Sequence, residues 1–411
     1  MMAPAPRPPG APATRQQPPA TRPPKLHLIA AEESGDALGG ALMAALRRLY
    51  PDVSFGGVGG RAMERQGIVA PFDIAELSII GIASIPGKLR TILRRIRETA
   101  DAVIAARPDA LIIIDSPDFT HRVARRVRKA VPSIPIINYA PPQVWAWRPG
   151  RARAMRAYVD EVLAILPFEP AAFARLDGPP CTYVGHPLAE RIGDLRPSPE
   201  EARRRLADPP LLLVLPGSRR GEIRRFAATF GAAIAQAAAK AGPFDLVLPT
   251  LPHVAALTRE STADWTVRPR IVVEAAEKHA AFRSARAALA KSGTVTLELA
   301  LAQVPTVAAY RLSAWEAPIY RRLVRVSSVI LANLVIGENV VPELLQEEFT
   351  PDLIAASLIP LMADTPQRRR QIAGFLRLDA IMDLGGEPPS LKAARAVQAV
   401  IAGRSDAGRR Q

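Results

Sequence analysis

Leu211 to Leu215 form an unbroken apolar run, which reads as a short strand covered on both faces, as in a parallel sheet. Pro216 and Gly217 end the run. From Ile223 the apolar positions Ile223, Phe226, Ala227, Phe230, Ile234 and Ala238 recur at helical spacing until Gly242-Pro243 stops them. The same alternation begins at residues 25–31, with a helix to about Tyr50 that carries Leu38, Leu42, Ala45, Leu46 and Leu49 on one face. Strands are predicted at 53–55, 111–114, 135–140, 161–166 and 181–184, and after 211–215 at 245–248, 270–273, 287–290 and 305–309. Strand–helix alternation of this kind predicts an α/β fold built from two mostly parallel sheets, each wrapped by helices.

The breaks in this pattern predict the organisation. Residues 1–24 are Pro, Ala, Arg and Gln with no apolar run, so they cannot bury a core and read as a disordered tail. A first unit is expected over 25–187, a second over 188–350, closing helices over 351–404 that pack back toward the first, and a short tail over 405–411. A chain of 411 residues suits two domains. The single cysteine, Cys181, excludes an internal disulfide framework. Five histidines without a short ligand spacing argue against a transition-metal site. The net charge of +15 points to an anionic partner: a phosphorylated substrate, a membrane surface or nucleic acid. Nucleic acid ranks last, because aromatic residues make up only 5% and none alternate with basic ones for base stacking.

Candidate chemistry collects at strand ends. Gly217-Ser218-Arg219-Arg220-Gly221 offers amides, a hydroxyl and two guanidinium groups at a helix start, where an anion is favoured; a Ser-capped helix with solvated arginines is the plain alternative. Ser292-Gly293-Thr294 repeats the arrangement after Lys291, and Glu298 follows in an apolar helix. That carboxylate needs partners, either ribose hydroxyls or a salt bridge to Lys291 or Arg311. Asp115 ends a buried strand, where open α/β sheets bind ligands and where a carboxylate can serve as a general base; Asp118 is the better candidate for capping the next helix. Gly57 to Ala62 matches a dinucleotide fingerprint but follows the second strand, so a close approach of backbones is the better reading. Trp145 and Trp147 after a double proline form a wall of core or pocket. The apolar stretch 74–85, followed by Lys88, Arg90, Arg94, Arg95 and Arg97, has the composition of an interfacial membrane contact. A buried loop beside a solvated helix face would have it too. No apolar run reaches the roughly 18 residues that a membrane span requires.

Two Rossmann-like units facing each other, with anion cradles in one and a carboxylate in the other, describe the GT-B glycosyltransferase architecture. Ala30 to Asp36, Ile114 to Phe119, Val144 to Arg148, Leu166 to Glu169, Gly185-His186, Leu215 to Arg219, Ser292 to Thr294 with Glu298, Tyr310-Arg311 and Glu343 to Glu348 occur in order. The set resembles the lipid-A-disaccharide synthase family over about residues 26–400. The resemblance implies an inverting transfer of diacylglucosamine from its UDP donor to diacylglucosamine 1-phosphate, giving a β-1,6 disaccharide and UDP, with no metal or cofactor. It implies peripheral association with the cytoplasmic face of the bacterial inner membrane, and it leaves a homodimer open. Asp115 and Arg219 would be catalytic, and Gly217, Ser218, Arg219, Ser292, Gly293, Thr294 and Glu298 would hold UDP. Glu32, Ser34, Gly35, Asp36, Trp145, Trp147, Tyr310, Arg311 and Asn333 would form the acceptor or acyl region. Ala31, Pro141-Pro142-Gln143 and Ala332 depart from the family pattern and leave acyl length open. The competing readings are another GT-B enzyme on a UDP-N-acetylglucosamine-type sugar (a transferase or a 2-epimerase), a nicotinamide-dependent oxidoreductase and a non-catalytic lipid-binding protein.

Overall fold

Twelve short strands make two separate parallel sheets in the computed structural model, which describes residues 22–77, 85–312 and 328–408. The first sheet contains β1 (Lys25–Ala30), β2 (Ser54–Val58), β3 (Ala110–Ile114), β4 (Ile136–Tyr139), β5 (Glu161–Ala164) and β6 (Cys181–Tyr183), in the order β2-β1-β3-β4-β5-β6. The second contains β7 (Leu211–Leu215), β8 (Asp245–Pro249), β9 (Arg270–Val272), β10 (Ala287–Lys291), β11 (Thr306–Tyr310) and β12 (Glu343–Leu345), in the order β12-β11-β10-β7-β8-β9. The central strands are apolar throughout because helices cover both faces: all five residues of β3 and of β7 are buried. The strand order in each sheet reverses once, between β1 and β3 and between β7 and β10. These switch points open crevices at the carboxyl ends of the strands.

Several expectations need correction. β2 runs to Val58, so the first glycine of the Gly57–Ala62 fingerprint lies inside a strand. A Cβ on Gly57 (φ +134°) would sit 1.9 Å from the Leu28 carbonyl oxygen, which makes glycine obligatory for β2 to lie against β1. The fold begins before residue 25: Pro24 is buried and its carbonyl accepts from the Ser54 amide at 3.0 Å. Residues 1–21 of the expected tail lie outside the described residues, as do 78–84 of the apolar stretch. The edge strand β12, three half-buried residues, is too short to show a period.

The closing helices divide between the units. Ile354, Leu358 and Leu361 of helix Pro351–Met362 pack with Phe226, Phe230 and Ile234 of helix Arg220–Ala241 in the second unit. Only the last helix, Pro389–Gly408, crosses to the first unit, where Ala393, Ala394 and Val397 join Leu38, Leu42 and Leu46 of helix Glu33–Leu49.

Three histidines are buried in the first unit and kept neutral. Burial, with Lys25 adding to it at His27, holds His27 down to about 4, and burial alone does the same at His186. His121 falls to about 3 through burial and the positive charges of Arg151 and Arg125. An unfolded histidine takes its proton near 6.5, so the unfolded chain binds these protons first as pH falls. Their stabilisation is complete above about pH 6.5 and is lost toward pH 4. Denaturation midpoints measured between pH 8 and pH 4.5 should therefore fall below about 6.5; a flat profile would contradict the burial of these rings.

Candidate functional site

At the β7/β10 switch point, two strand-to-helix turns enclose a cavity of about 400 Å³. The first is Gly217-Ser218-Arg219, leading into helix Arg220–Ala241. Gly217 has φ +127°, and a Cβ there would meet a Glu222 carboxylate oxygen at 2.5 Å, so the turn requires glycine. Glu222 accepts from the amides of Ser218 and Arg219 at 3.1 and 3.3 Å, and it pairs with Lys291 Nζ at 3.0 Å. The second turn brings Gly293 and Thr294 to the same wall. Glu298 also lines the cavity, and its Oε2 accepts from Lys278 Nζ at 2.8 Å. Its ionic partner is therefore Lys278, neither Lys291 nor Arg311. Lys291 is instead drawn to Glu222, whereas helix Ala275–Ser284 brings Lys278 against Glu298. Arg219, also lining the cavity, has no carboxylate partner among the described residues. Three side-chain cations, the amino end of a long helix and two carboxylates, Glu222 and Glu298, each paired with a lysine, suit an anionic group carrying hydroxyls.

A larger cleft of about 650 Å³ opens at the β1/β3 switch point. Asp115 lines it directly beyond β3, with Asp115 and Ser116 both left-handed (φ 50° and 42°). Two successive non-glycine residues in this region store strain, which here turns the Asp115 carboxylate out of the sheet. Ser34 Oγ donates to Asp115 Oδ2 at 3.0 Å, and the Ser116 amide donates to Oδ1 at 2.8 Å. Gly35 permits this approach, since a Cβ there would stand 3.3 Å from the Ile114 carbonyl and 3.5 Å from the Asp115 Cβ. Thr294 and Leu331 of the second unit complete the cleft, so Thr294 faces both spaces.

Not every expected site residue is here. Ser292 turns its hydroxyl to the Val329 carbonyl at 3.2 Å and does not line the cavity. Asp36 is buried and accepts from the amides of Gly60, Ala62 and Met63 at 2.7 to 3.0 Å, capping the short helix Arg61–Glu64 and leaving nothing for a ligand. Glu32 is the exposed residue before helix Glu33–Leu49. Asn333 is likewise consumed: its amide donates to the Val341 carbonyl and Glu343, and its oxygen accepts from the Val340 and Val341 amides. Tyr310 packs its ring on Phe226 at 5.5 Å, and Arg311 gives its carbonyl to Arg225; neither lines the two spaces. Trp145 belongs to the core, edge-on to Phe168 at 5.0 Å, whereas Trp147 lines the cleft. Asp118 caps nothing: helix Pro117–Ala130 starts one residue before it, and its carboxylate points to solvent 3.7 Å from Arg151.

Residues given no role in the sequence also line the cleft. Glu169 accepts from Trp145 Nε1 at 3.2 Å and from the Ile165 and Leu166 amides at 3.1 and 3.0 Å. Burial outweighs these donors and pushes its carboxyl up to about 7. His186 accepts the Leu188 amide through Nδ1 at 3.2 Å. Lys278, in a helix of weak periodicity, had no sequence signal at all, because its partner is brought to it only by packing.

Known proteins resemble most of the chain. The profile of the family described as Lipid-A-disaccharide synthetase matches residues 26–397. A lipid-A-disaccharide synthase of Rhodopseudomonas palustris strain HaA2 is 61% identical over 378 residues, 92% of this chain and 96% of the relative. One from Nitrobacter hamburgensis is 61% identical over 371 residues, 90% and 94% of the two chains. Among solved structures, the UDP complex of Staphylococcus aureus MnaA superposes with a TM-score of 0.60 at 12% identity over 89% of this chain and 94% of the other. MurG of Acinetobacter baumannii gives 0.52 at 17% identity over 93% and 100%. The last two share the fold of two facing Rossmann-like domains.

Proposed function

Because the chain belongs to the lipid-A-disaccharide synthase family, we propose that it transfers a 2,3-diacylglucosamine residue from UDP to 2,3-diacylglucosamine 1-phosphate with inversion. The cavity at the β7/β10 switch point holds UDP, and the cleft at the β1/β3 switch point holds the acceptor. The observation that carries this reading is the position of Thr294, which lines both spaces and so marks where donor sugar and acceptor meet. The acceptor hydroxyl attacks the anomeric carbon from the side opposite UDP, a C–O bond forms as the bond to the diphosphate breaks, and Asp115 takes the hydroxyl proton. Arg219, Lys278 and Lys291 neutralise the leaving diphosphate, so the proposed transfer uses no metal ion.

The surface supports a lipid-facing role. Helix Ile85–Ala106 exposes Leu89 and Leu93 beside Arg90, Arg94 and Arg97, an apolar strip flanked by charge that suits an anionic bilayer surface. No helix among the described residues is long and apolar enough to cross a membrane. Binding at the cytoplasmic face of the inner membrane places the enzyme where both acylated substrates reside.

The deciding experiment is a UDP-release assay in mixed micelles. UDP should appear from acylated UDP-glucosamine only when the acylated glucosamine 1-phosphate is present. UDP release without acceptor, or epimerisation of UDP-N-acetylglucosamine, would replace this reading with that of another enzyme of the same fold.

Glu298 carries a separate expectation. If it holds the ribose as well as Lys278, Glu298→Gln should weaken UDP binding by about 10- to 150-fold, the equivalent of roughly 1.5–3 kcal/mol for a charge-assisted hydrogen bond. Calorimetry should show inorganic pyrophosphate binding far less affected. Equal losses for UDP and pyrophosphate would reduce Glu298 to a holder of Lys278.

A further inference from the structure

Two guanidinium groups line the acceptor cleft, Arg151 and Arg191. Arg191 is engaged: its Nε donates to Asp194 at 3.2 Å, and a terminal nitrogen lies 3.4 Å from His279. Arg151 is not. Its nearest carboxylate is Asp118 at 3.7 Å, beyond hydrogen-bond distance, with 89% of that side chain in solvent. The Arg151 side chain itself is only 20% exposed, its guanidinium 5.9 Å from the Trp147 ring. The groups behind it add no negative charge. Arg125 lies over the Tyr158 ring at 4.7 Å and donates to its hydroxyl, and His121 shares that hydroxyl at 3.0 Å. A mostly buried cation whose one ionic partner is a solvent-exposed carboxylate at 3.7 Å, and which is open on one side to a cleft, keeps donors free for an anion that enters the cleft.

We propose that Arg151 is the anchor for the phosphate of the acceptor sugar, fixing that sugar so that its hydroxyl reaches Asp115 in the same cleft. The inference rests on the acceptor assigned under Proposed function and adds the residue that makes the cleft select a phosphorylated sugar. The planar fork of arginine matches phosphate oxygens in pairs. The three cations of the donor cavity lie at the other switch point, so donor and acceptor phosphates are read by different residues.

The test compares two acceptors, acylated glucosamine 1-phosphate and the same molecule without its phosphate, using the full chain in micelles. The wild type should prefer the phosphorylated acceptor at least tenfold in kcat/KM. Arg151→Gln should lower kcat/KM for that acceptor by about 10- to 150-fold, the range of a lost charged hydrogen bond at tenfold per 1.36 kcal/mol. It should change the unphosphorylated acceptor less than about threefold and leave the KM of the donor unmoved. Arg151→Lys, which keeps the charge and loses the fork, should give the same contrast at smaller size and serves if the glutamine variant does not fold. Equal losses on both acceptors, or a raised donor KM, would overturn the assignment. A wild type indifferent to the phosphate would overturn it too while leaving the transferase reading intact, whereas a wild type that transfers to neither acceptor would remove the transferase reading itself.

Discussion

Asp115→Asn should lower turnover by about 10²–10⁴, the usual worth of a general base, or roughly 3–5 kcal/mol of barrier. Sugar hydroxyls are weak nucleophiles at neutral pH, and inversion places the base on the acceptor side. Asp115 is the carboxylate of the acceptor cleft whose position is fixed by a strained turn and by two donors, the Ser34 hydroxyl from helix Glu33–Leu49 and the Ser116 amide. Asparagine tolerates the left-handed backbone as well as aspartate does, its oxygen can accept from the Ser116 amide and its NH2 can donate to the Ser34 hydroxyl oxygen, so melting temperature and UDP affinity should barely move. It cannot accept the proton. Asp118→Asn is the control: its side chain is in solvent with one distant arginine, and such surface changes usually stay within about 0.5 kcal/mol. Loss of turnover in Asp118→Asn with retention in Asp115→Asn would move the base to the other aspartate.

Arg219→Ala should lower kcat by about 10²–10³, the range for removing one preorganised donor to developing negative charge. The reason lies in how the cations of the donor cavity are engaged. Lys278 is held by Glu298 at 2.8 Å and Lys291 by Glu222 at 3.0 Å, so part of their charge is already answered. Arg219 alone among them has no carboxylate partner in the described residues, and it sits where helix Arg220–Ala241 adds its own positive end. Its charge is therefore available as the diphosphate departs, and the effect should appear in kcat more than in donor KM. The side chain is exposed, which keeps the stability cost small. Arg220→Ala is the matched comparison, because Arg220 does not line the cavity. A loss below about threefold in Arg219→Ala, under roughly 1 kcal/mol, would transfer the role to the two lysines.

Much of this protein was legible in the chain because its signals are local. Apolar runs such as Leu111–Ile114 and Leu211–Leu215 need only their neighbours to declare a covered strand, and both appear where the pattern put them. Gly217 announces a turn because a side chain there would strike its own neighbourhood at Glu222. Asp115, Arg219 and Glu298 could be chosen because each stands at a strand end or in a helix where a charge requires a reason.

The tertiary structure decided which charges remain free. Asp36 and Asp115 are both acids that follow strands of one sheet, yet three amides from the next helix absorb Asp36 while Asp115 is left facing the cleft. Asn333 is spent on its own loop. Ser34 meets Asp115 across 81 residues and Lys278 meets Glu298 across 20, pairings set by strand order and helix docking. Arg151 is left with a single long pairing of 3.7 Å because Asp118, drawn as a cap in the sequence, leans into solvent once Pro117 starts the helix. A hydrogen bond or ion pair is satisfied by whatever group arrives within about 3 Å, and that arrival depends on topology rather than on spacing along the chain.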